Sequence, residues 1–390
     1  MRGLVIAPQP FFSPRGTPFS VYHRCLVMTE MGIELDLMTY GQGQDVDLPN
    51  VSIRRGPAFR WLGEVRIGPS ALKAFHDMFL FASSGWRLLF ERYDFVHAHE
   101  EGVFLAALLK PFFSYKLVYD MHSSLPQQLT NFEFTRSKRL IGLFEWLERW
   151  ALRRADAVIT ISPSLAKIVD EQQIPGAHFL IENSIFDEIR TIPASPPPEL
   201  AGEDLPELPG DRPIVGYVGT FEPYQGIDLL LQAFALVHEA RPTAFLLLVG
   251  GTDEQTHGFQ HRARALGIEE HCLFTGRLEQ SQARRLLARV DLTVSPRSRG
   301  TNTPLKIYEI LASGIPMVAT RIESHTQVLS DDICLLANPE PGDFAKAIVS
   351  ALDDPDKSLE IAQAARTFYD EHYSRAVYDQ KIKALLEAIG

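Results

Sequence analysis

Short runs of consecutive apolar residues alternate along this chain with longer stretches in which apolar positions recur every three or four residues. The first kind of run predicts strands buried on both faces, the second amphipathic helices. In the first half, strands are expected at Gly3 to Ala7, Glu34 to Tyr40, Phe95 to Ala98, Lys116 to Tyr119, Ala157 to Ile161 and His178 to Ile181. The second half repeats the plan at Ile214 to Val218, Ala244 to Val249, Cys272 to Phe274, Leu292 to Val294 and Pro316 to Ala319. Strand-helix alternation of this kind implies a parallel sheet covered on both faces, here twice over.

Between the halves lies IPASPPPELAGEDLPELPGDRP, whose prolines and acids cannot build a core and read as a linker. The expected division is therefore residues 1–190 as a first domain, 191–212 as linker and 213–369 as a second domain. Two doubly wound α/β domains joined in this way are expected to enclose a cleft, with ligands at the carboxyl ends of the strands.

Length supports two domains, since 390 residues exceed what one core usually serves. With 45% hydrophobic and 22% charged residues the composition is that of a soluble globular protein. Three scattered cysteines match no metal or redox spacing and point to a reducing compartment. The start, MRGLVIAP, reads as a first strand rather than a signal peptide, and no stretch is apolar enough to span a bilayer, so a cytoplasmic location is expected. The net charge of −11 argues against nucleic acid as a partner. It is unevenly spread: up to Arg190 there are 20 Lys and Arg against 21 Asp and Glu, and beyond it 18 against 28. The first half can thus approach an anionic surface, including the inner face of a membrane, that the second would avoid.

The segment GTNTPLKIYEILASGIPMVAT, Gly300 to Thr320, carries the most chemistry. Thr303 reads as an N-cap and Pro304 as the first helical residue, so the helix would open with unpaired amides that attract anions. Lys306 in the first turn stands at the end of the dipole that disfavours a cation, a conflict that an anionic ligand removes. Glu309, one turn on, can accept from a sugar diol. Arg297 and Arg299 precede the helix at the end of a strand. Together these groups suit a diphosphate with an attached ribose; the alternative is a solvated salt network. Thr17-Pro18 repeats the cap-and-proline pattern after the first strand. In YVGTFEPYQGIDLLLQAF, Gly219 and Gly226 would let a backbone approach a phosphate and Thr220 or Gln225 could donate to it, or the stretch is a plain strand-helix turn.

Three other constellations carry less. His122 in LVYDMHSS follows a strand end, where a histidine either serves a group in transfer or is structural. HAHE, His97 to Glu100, has the look of a metal pair but no further ligand in register, and DVD, Asp45 to Asp47, sits in a polar loop. No metal site and no cofactor are expected. RRGPAFRWLGEVRIG, residues 54–68, interleaves cations with Phe59, Trp61 and Ile67. It reads as a peripheral membrane contact, a loop cupping an acceptor, or core under a cationic edge.

Taken together, GTFEPYQGIDLLLQAF, LLLVGG, FTGRL, VDLTVSP and TPLKIYEILASGIPMVAT resemble, in that order, the retaining nucleotide-sugar-dependent glycosyltransferases of family 4, which have the GT-B fold. The resemblance covers nearly the whole chain. It implies that Glu309 is the ribose-binding second glutamate of the E-x7-E motif, whose first glutamate is replaced by Thr301. The basic pair of the phosphate loop is replaced by Thr220 and Gln225. His122 matches the active-site histidine of the first domain, and Gly16 and Thr17 stand in its glycine-rich loop. Gly276, Arg277 and Leu278 match the segment receiving the base. The final residues, about 370–390, match the helix that returns to the first domain.

The site implied by that resemblance has His122, Lys306 and Glu309 as catalytic residues. The donor is held by Gly16, Thr17, Gly219, Thr220, Gln225, Gly276, Arg277, Leu278, Arg299, Thr301, Asn302, Thr303, Pro304 and Leu305. The implied reaction moves a sugar from a UDP- or GDP-sugar to an acceptor hydroxyl, with retention and without a metal. The acceptor is open, a lipid-linked one in cell-envelope synthesis being one option. A GT-B epimerase or phosphorylase, and a non-catalytic sugar-nucleotide-binding protein, are the alternatives.

Overall fold

The computed structural model describes residues 1–13, 16–59, 63, 70–126, 137–183, 191–192 and 205–390. The chain divides into two compact units, Met1–Pro198 with Arg375–Gly390, and Glu199–Ser374.

The N-terminal unit is built on a seven-stranded parallel sheet in the order β4-β2-β1-β5-β6-β7-β8. Its strands are β1 (Arg2–Ile6), β2 (Glu34–Thr39), β4 (Val51–Arg55), β5 (Phe95–His99), β6 (Lys116–Met121), β7 (Ala157–Thr160) and β8 (Ala177–Leu180), while β3 (Asp45–Val46) pairs antiparallel with β9 (Thr191–Ile192). Every residue of β5 and β7 is buried, which leaves β7 nearly all apolar, while β5 carries two buried histidines. Its helices are α1 (Gly16–Glu30), α2 (Ala71–Phe90), α3 (Gly102–Leu109), α4 (Lys138–Arg154) and α5 (Pro163–Glu171). One face of the sheet packs a core of Leu4, Val96, Leu117 and Val158 against Leu80 and Leu88 of α2, Ala106 of α3, Leu152 of α4 and Leu165 of α5. The other packs Val5, Leu37 and Ile159 against Val21 and Met28 of α1 and Ile382 and Leu385 of the C-terminal helix, Arg375–Ile389.

The C-terminal unit repeats the architecture with six parallel strands in the order β12-β11-β10-β13-β14-β15. These are β10 (Ile214–Val218), β11 (Phe245–Val249), β12 (Cys272–Gly276), β13 (Leu292–Ser295), β14 (Met317–Thr320) and β15 (Leu335–Ala337). The helices are α6 (Ile227–Ala240), α7 (Asp253–Ala265), α8 (Gln280–Leu287), α9 (Leu305–Ser313), α10 (Glu323–Thr326), α11 (Pro341–Asp353) and α12 (Pro355–His372). Strand order reverses between β10 and β13, so the loops after those two strands open side by side at the carboxyl edge. That is where doubly wound sheets bind ligands.

Two expected helix starts differ. Pro304, with φ −65° and ψ 137°, is extended and holds the cap position, so α9 begins at Leu305 and Thr303 is not its cap. Because Pro304 is itself extended, the helix starts one residue later than expected and Thr303 stands one position too far back to cap it. Thr17-Pro18 does not precede α1 but lies within its first turn, where a missing amide costs nothing. The strands β3, β4, β9 and β15 were not expected. The first and third have two residues each, β15 has three, and β4, VSIRR, is a half-exposed edge.

Candidate active site

In the C-terminal unit the loop after β10 makes one wall. Gly219 has φ +153°, and a Cβ there would stand 2.8 Å from the Tyr217 hydroxyl oxygen and 3.6 Å from Lys306 Nζ. Gly226, φ +76°, ends a 3-10 turn over Pro223–Gln225, and a Cβ on it would fall 2.0 Å from the Pro296 carbonyl oxygen. Only glycine lets the two loops meet this closely. The Tyr217 hydroxyl donates to the Thr220 carbonyl at 2.8 Å, and Gln225 Nε2 lies 3.5 Å from Thr220 Oγ1. The buried Gln225 Oε1 has no hydrogen-bond partner.

The second wall is the start of α9. No side chain caps it. Lys306 Nζ is buried, makes no hydrogen bond, and sits 4.1 Å from the centroid of the Tyr217 ring. Burial, and then the nearby Arg297 guanidinium, pull this ammonium down to about 7. Thr303 Oγ1, three residues earlier in the chain, is also buried without a partner. Arg297 lies 5.2 Å over the Tyr224 ring and donates through Nε to the Arg299 carbonyl at 2.6 Å, while the Arg299 side chain is exposed. An ammonium, a guanidinium, open helix amides and a glycine loop thus surround one point, with no carboxylate among them.

Glu309 lies one turn along α9. Its Oε1 accepts from Arg284 of α8 at 3.0 Å, with Gln280 Nε2 at 3.5 Å. At the end of β12, Gly276 (φ +68°) accepts from the Gly250 amide at 2.8 Å, Leu278 packs against the core beneath α8, and Arg277 is exposed. Thr301 offers its carbonyl to Gln327 Nε2, and Thr301, Asn302, Pro304 and Leu305 are all half-buried. The structure therefore brings Gly219, Thr220, Gln225, Lys306 and the start of α9 together, and places Glu309 one turn further on.

The N-terminal unit holds a separate buried polar centre. Asp120, on β6, is fully buried and accepts from Arg24 Nε of α1 and from His97 Nε2 at 2.9 Å. Its other oxygen is 3.3 Å from His122 Nε2, and His122 Nε2 is 3.0 Å from His99 Nδ1. Arg24 in turn donates to the Tyr378 hydroxyl of the C-terminal helix at 3.0 Å and to the Ile181 carbonyl at 2.9 Å. Burial alone would raise the Asp120 carboxyl, but Arg24, then His122 and His99, hold it well below the usual carboxylate range. Burial keeps His122 down at about 4, against the pull of Asp120, so the imidazole is neutral at neutral pH. Gly16 and Thr17 open α1, Gly16 exposed and Thr17 half-buried.

His97 and His99 do have a third potential ligand in register, because Asp120 pairs with His99 across β5 and β6. The three are the one group of metal-capable side chains brought together among the described residues. Their donor atoms suit a divalent ion, yet the buried Arg24 guanidinium already compensates Asp120, and a second cation would face it. Asp45 instead takes Arg55 at 2.9 Å and is exposed. Of residues 54–68, 60–62 and 64–68 lie outside the described residues, and with them most of the stretch read as a membrane contact, an acceptor loop or core under a cationic edge.

Sequence reasoning missed Arg24, Asp120, Tyr217 and Arg284. The signal for the first two was present: an arginine inside the apolar run VYHRCLVM and an aspartate inside LVYDM must each find a buried partner.

The fold is that of a GT-B protein, and two family models match the chain. Glycosyltransferase Family 4 matches residues 14–185, and Glycosyl transferases group 1 matches residues 204–368. The chain belongs to the group 1 glycosyltransferases with the GT-B fold. Alpha-D-kanosaminyltransferase of Streptomyces kanamyceticus is 25% identical over 310 residues, 76% of this chain and 77% of that protein. The GDP-mannose-dependent monoacylated alpha-(1-6)-phosphatidylinositol monomannoside mannosyltransferase of Corynebacterium glutamicum is 26% identical over 223 residues. That match takes in 55% of this chain and 58% of the relative. Among solved structures, Anabaena HepE in complex with UDP superposes with a TM-score of 0.70 at 17% identity, covering 100% of both chains, which shows the shared fold.

Proposed function

We propose that the protein transfers a glycosyl group from a UDP- or GDP-sugar to an acceptor hydroxyl, with retention at the anomeric carbon and without a metal ion. The observation that carries this reading is the Lys306 ammonium, buried and without a hydrogen-bond partner at the uncapped start of α9. A buried cation is costly unless something anionic completes it. A nucleoside diphosphate does so, and its charge grows as the bond to the sugar breaks. Cations and dipoles fixed in advance around it lower that barrier most. With neutral Thr220 and Gln225 on the facing loop, Lys306, Arg297 and the α9 amides take the charge, and Arg299 adds to it from the rim.

In this reading Glu309 binds the ribose diol, Gly276 to Leu278 receive the base, and Asn302 to Leu305 line the diphosphate. His122, kept neutral by burial against the pull of Asp120, serves the transferred sugar in the N-terminal unit, where Gly16 and Thr17 border its path. The relative named for a phosphatidylinositol mannoside supports a lipid-linked acceptor as the first class to try.

The test is a thermal-shift panel of nucleoside diphosphates and their sugars, followed by turnover of the stabilising donor with and without an alcohol acceptor. The expected result is stabilisation by one nucleoside diphosphate series, acceptor-dependent product in the donor's anomeric configuration, and activity that survives EDTA. Sugar isomerisation without acceptor, or an inverted product, would replace the proposed reaction.

A further inference from the structure

The helical layer over one face of the N-terminal sheet is unusually apolar on its outside. Of thirteen large apolar side chains exposed among the described residues, eight come from α2, α3, the turn after α3, and α4. Trp86, Leu89, Phe90, Leu108, Phe112 and Trp146 are each between 58% and 77% exposed. Single exposed apolar residues are ordinary, but a contiguous set this large is not.

These residues share one surface because the helices touch. A Cβ on Gly85 of α2 would lie 3.8 Å from Leu109 at the end of α3, so the exposed neighbours in sequence, Trp86 on α2 and Leu108 on α3, flank that contact. The end of α3 meets the end of α4 directly: Lys110 Nζ donates to the Arg154 carbonyl at 2.7 Å, and Arg154 donates to the Ala107 carbonyl at 3.1 Å. Phe112, exposed, ends the 3-10 turn Lys110–Phe112 that follows α3. On α4, Arg139, Leu143, Trp146 and Arg153 recur at helical spacing on the face opposite buried Glu148, Ala151 and Leu152.

Charge completes the pattern. Arg92, Lys116, Arg139, Arg149 and Arg153 are exposed around the apolar set, against Asp94 and Glu145 as the exposed acids of the same elements. Lys116 and Asp94 are held together by a 2.9 Å backbone bond, so Arg92 and Lys116 stand at the foot of the sheet beside Phe90. This cationic rim belongs to a chain whose net charge is −11. Aromatic and aliphatic anchors ringed by Arg and Lys are what a helical surface needs to seat in the headgroup layer of an anionic bilayer. No helix among the described residues is long and apolar enough to cross a membrane, so the contact is one of lying on the surface.

We propose that the outer face of α2, α3 and α4 docks the protein on an anionic lipid surface. The docking is independent of which donor and acceptor the enzyme uses, and the measurement below contains neither.

The experiment is co-sedimentation of the full chain with vesicles of phosphatidylcholine alone and of phosphatidylcholine containing about one third phosphatidylglycerol, at low and high salt. Binding is expected on the anionic vesicles only and should fall with salt. Trp86→Ala with Phe112→Ala, both on exposed side chains, should weaken it about tenfold or more. Arg92→Glu with Lys116→Glu should do likewise. Both double variants should keep the wild-type melting temperature and the wild-type thermal response to UDP or GDP. Equal binding to both vesicle types, no binding at low salt, or wild-type binding by both double variants would overturn the proposal. So would a concentration-dependent dimer abolished by Trp86→Ala with Phe112→Ala, which would assign the face to a second copy.

Discussion

The ammonium of Lys306 rests 4.1 Å from the centre of the Tyr217 ring and has no hydrogen-bond acceptor. The ring face offers it a weak electrostatic partner, of about 0.5–2 kcal/mol, in place of water. The result is a cation held ready and poorly satisfied.

That state is visible in pH dependence. Folding lowers this ammonium from its ordinary 10.5 to about 7. Between those values the unfolded chain binds the proton and the folded one does not, so this group makes the free protein more stable as pH rises through the window. Below about 7 both forms are charged and the cost is fully present. A bound diphosphate reverses the shift. Calorimetry of UDP or GDP binding at pH 8 in buffers of different ionisation enthalpy should therefore show uptake approaching about one proton. Lys306→Met should abolish the uptake and weaken binding by about 1.5–3 kcal/mol while raising the melting temperature of the free protein. Equal proton uptake in the mutant would take Lys306 out of the site.

Gly219→Ala tests the opposite wall. The added methyl would stand 2.8 Å from the Tyr217 hydroxyl and 3.6 Å from Lys306 Nζ, on a backbone with φ +153°. Both the strain, about 1–3 kcal/mol, and the lost space fall on the phosphate loop. Nucleoside diphosphate affinity should drop at least about tenfold. Gly258→Ala in α7, with nothing within 4 Å of its Cβ, is the control and should stabilise the protein by about 0.5–1 kcal/mol with donor affinity unchanged. Titrations of both variants by intrinsic fluorescence decide it; similar affinities would mean that no ligand approaches Gly219.

Glu309→Gln separates ribose recognition from scaffold. Its ion pair with Arg284 is partly exposed, 28% and 39% for the two side chains, so its loss should change stability by about 1 kcal/mol at most. A diol bonded to the carboxylate would lose more, about 1.5–3 kcal/mol. Affinity for the ribonucleotide should fall further than affinity for its 2′,3′-dideoxy analogue. Parallel losses would assign Glu309 to holding α8 against α9.

How much of this was legible follows from what burial does to a sequence. β5, β7, β10 and β13 are almost wholly buried, which makes them mostly apolar, so all four could be read directly in spite of His97 and His99 in β5. β4 alternates polar and apolar because it is an edge, and β15 is too short to show any period. The unpartnered Lys306 was legible as a conflict, a lysine at the wrong end of a dipole, but its neighbours were not. Which arginine turns inward, Arg297 or Arg299, depends on the loop closing over Tyr224, and Tyr217 reaches Lys306 only through the pairing of β10 with β13. The Asp120 centre was hidden for a different reason. Its partners come from α1, two strands and the C-terminal helix, and pairing over 354 positions, as between Arg24 and Tyr378, leaves no local trace.

That chain of contacts yields the last prediction. Arg24 is buried with Asp120 as its anion, so Asp120→Asn leaves a guanidinium uncompensated and should cost about 3–5 kcal/mol in urea unfolding. Tyr378→Phe removes one hydrogen bond to the same guanidinium and should cost about 1 kcal/mol, leaving a folded enzyme in which to measure function. Because Asp120 sets His122, and the nucleotide groups all lie in the C-terminal unit, both variants should lower kcat while Kd for the nucleoside diphosphate stays unchanged. In Tyr378→Phe the acid limb of the kcat profile is diagnostic. His122, neutral down to about 4, contributes no limb near pH 6.5 unless its surroundings loosen. A new limb in that region would show that the C-terminal helix helps keep the histidine neutral by holding the Arg24 guanidinium, and the packing around it, in place against the pull of Asp120. An unaltered kcat in both folded variants would reduce the whole network to a stabilising core.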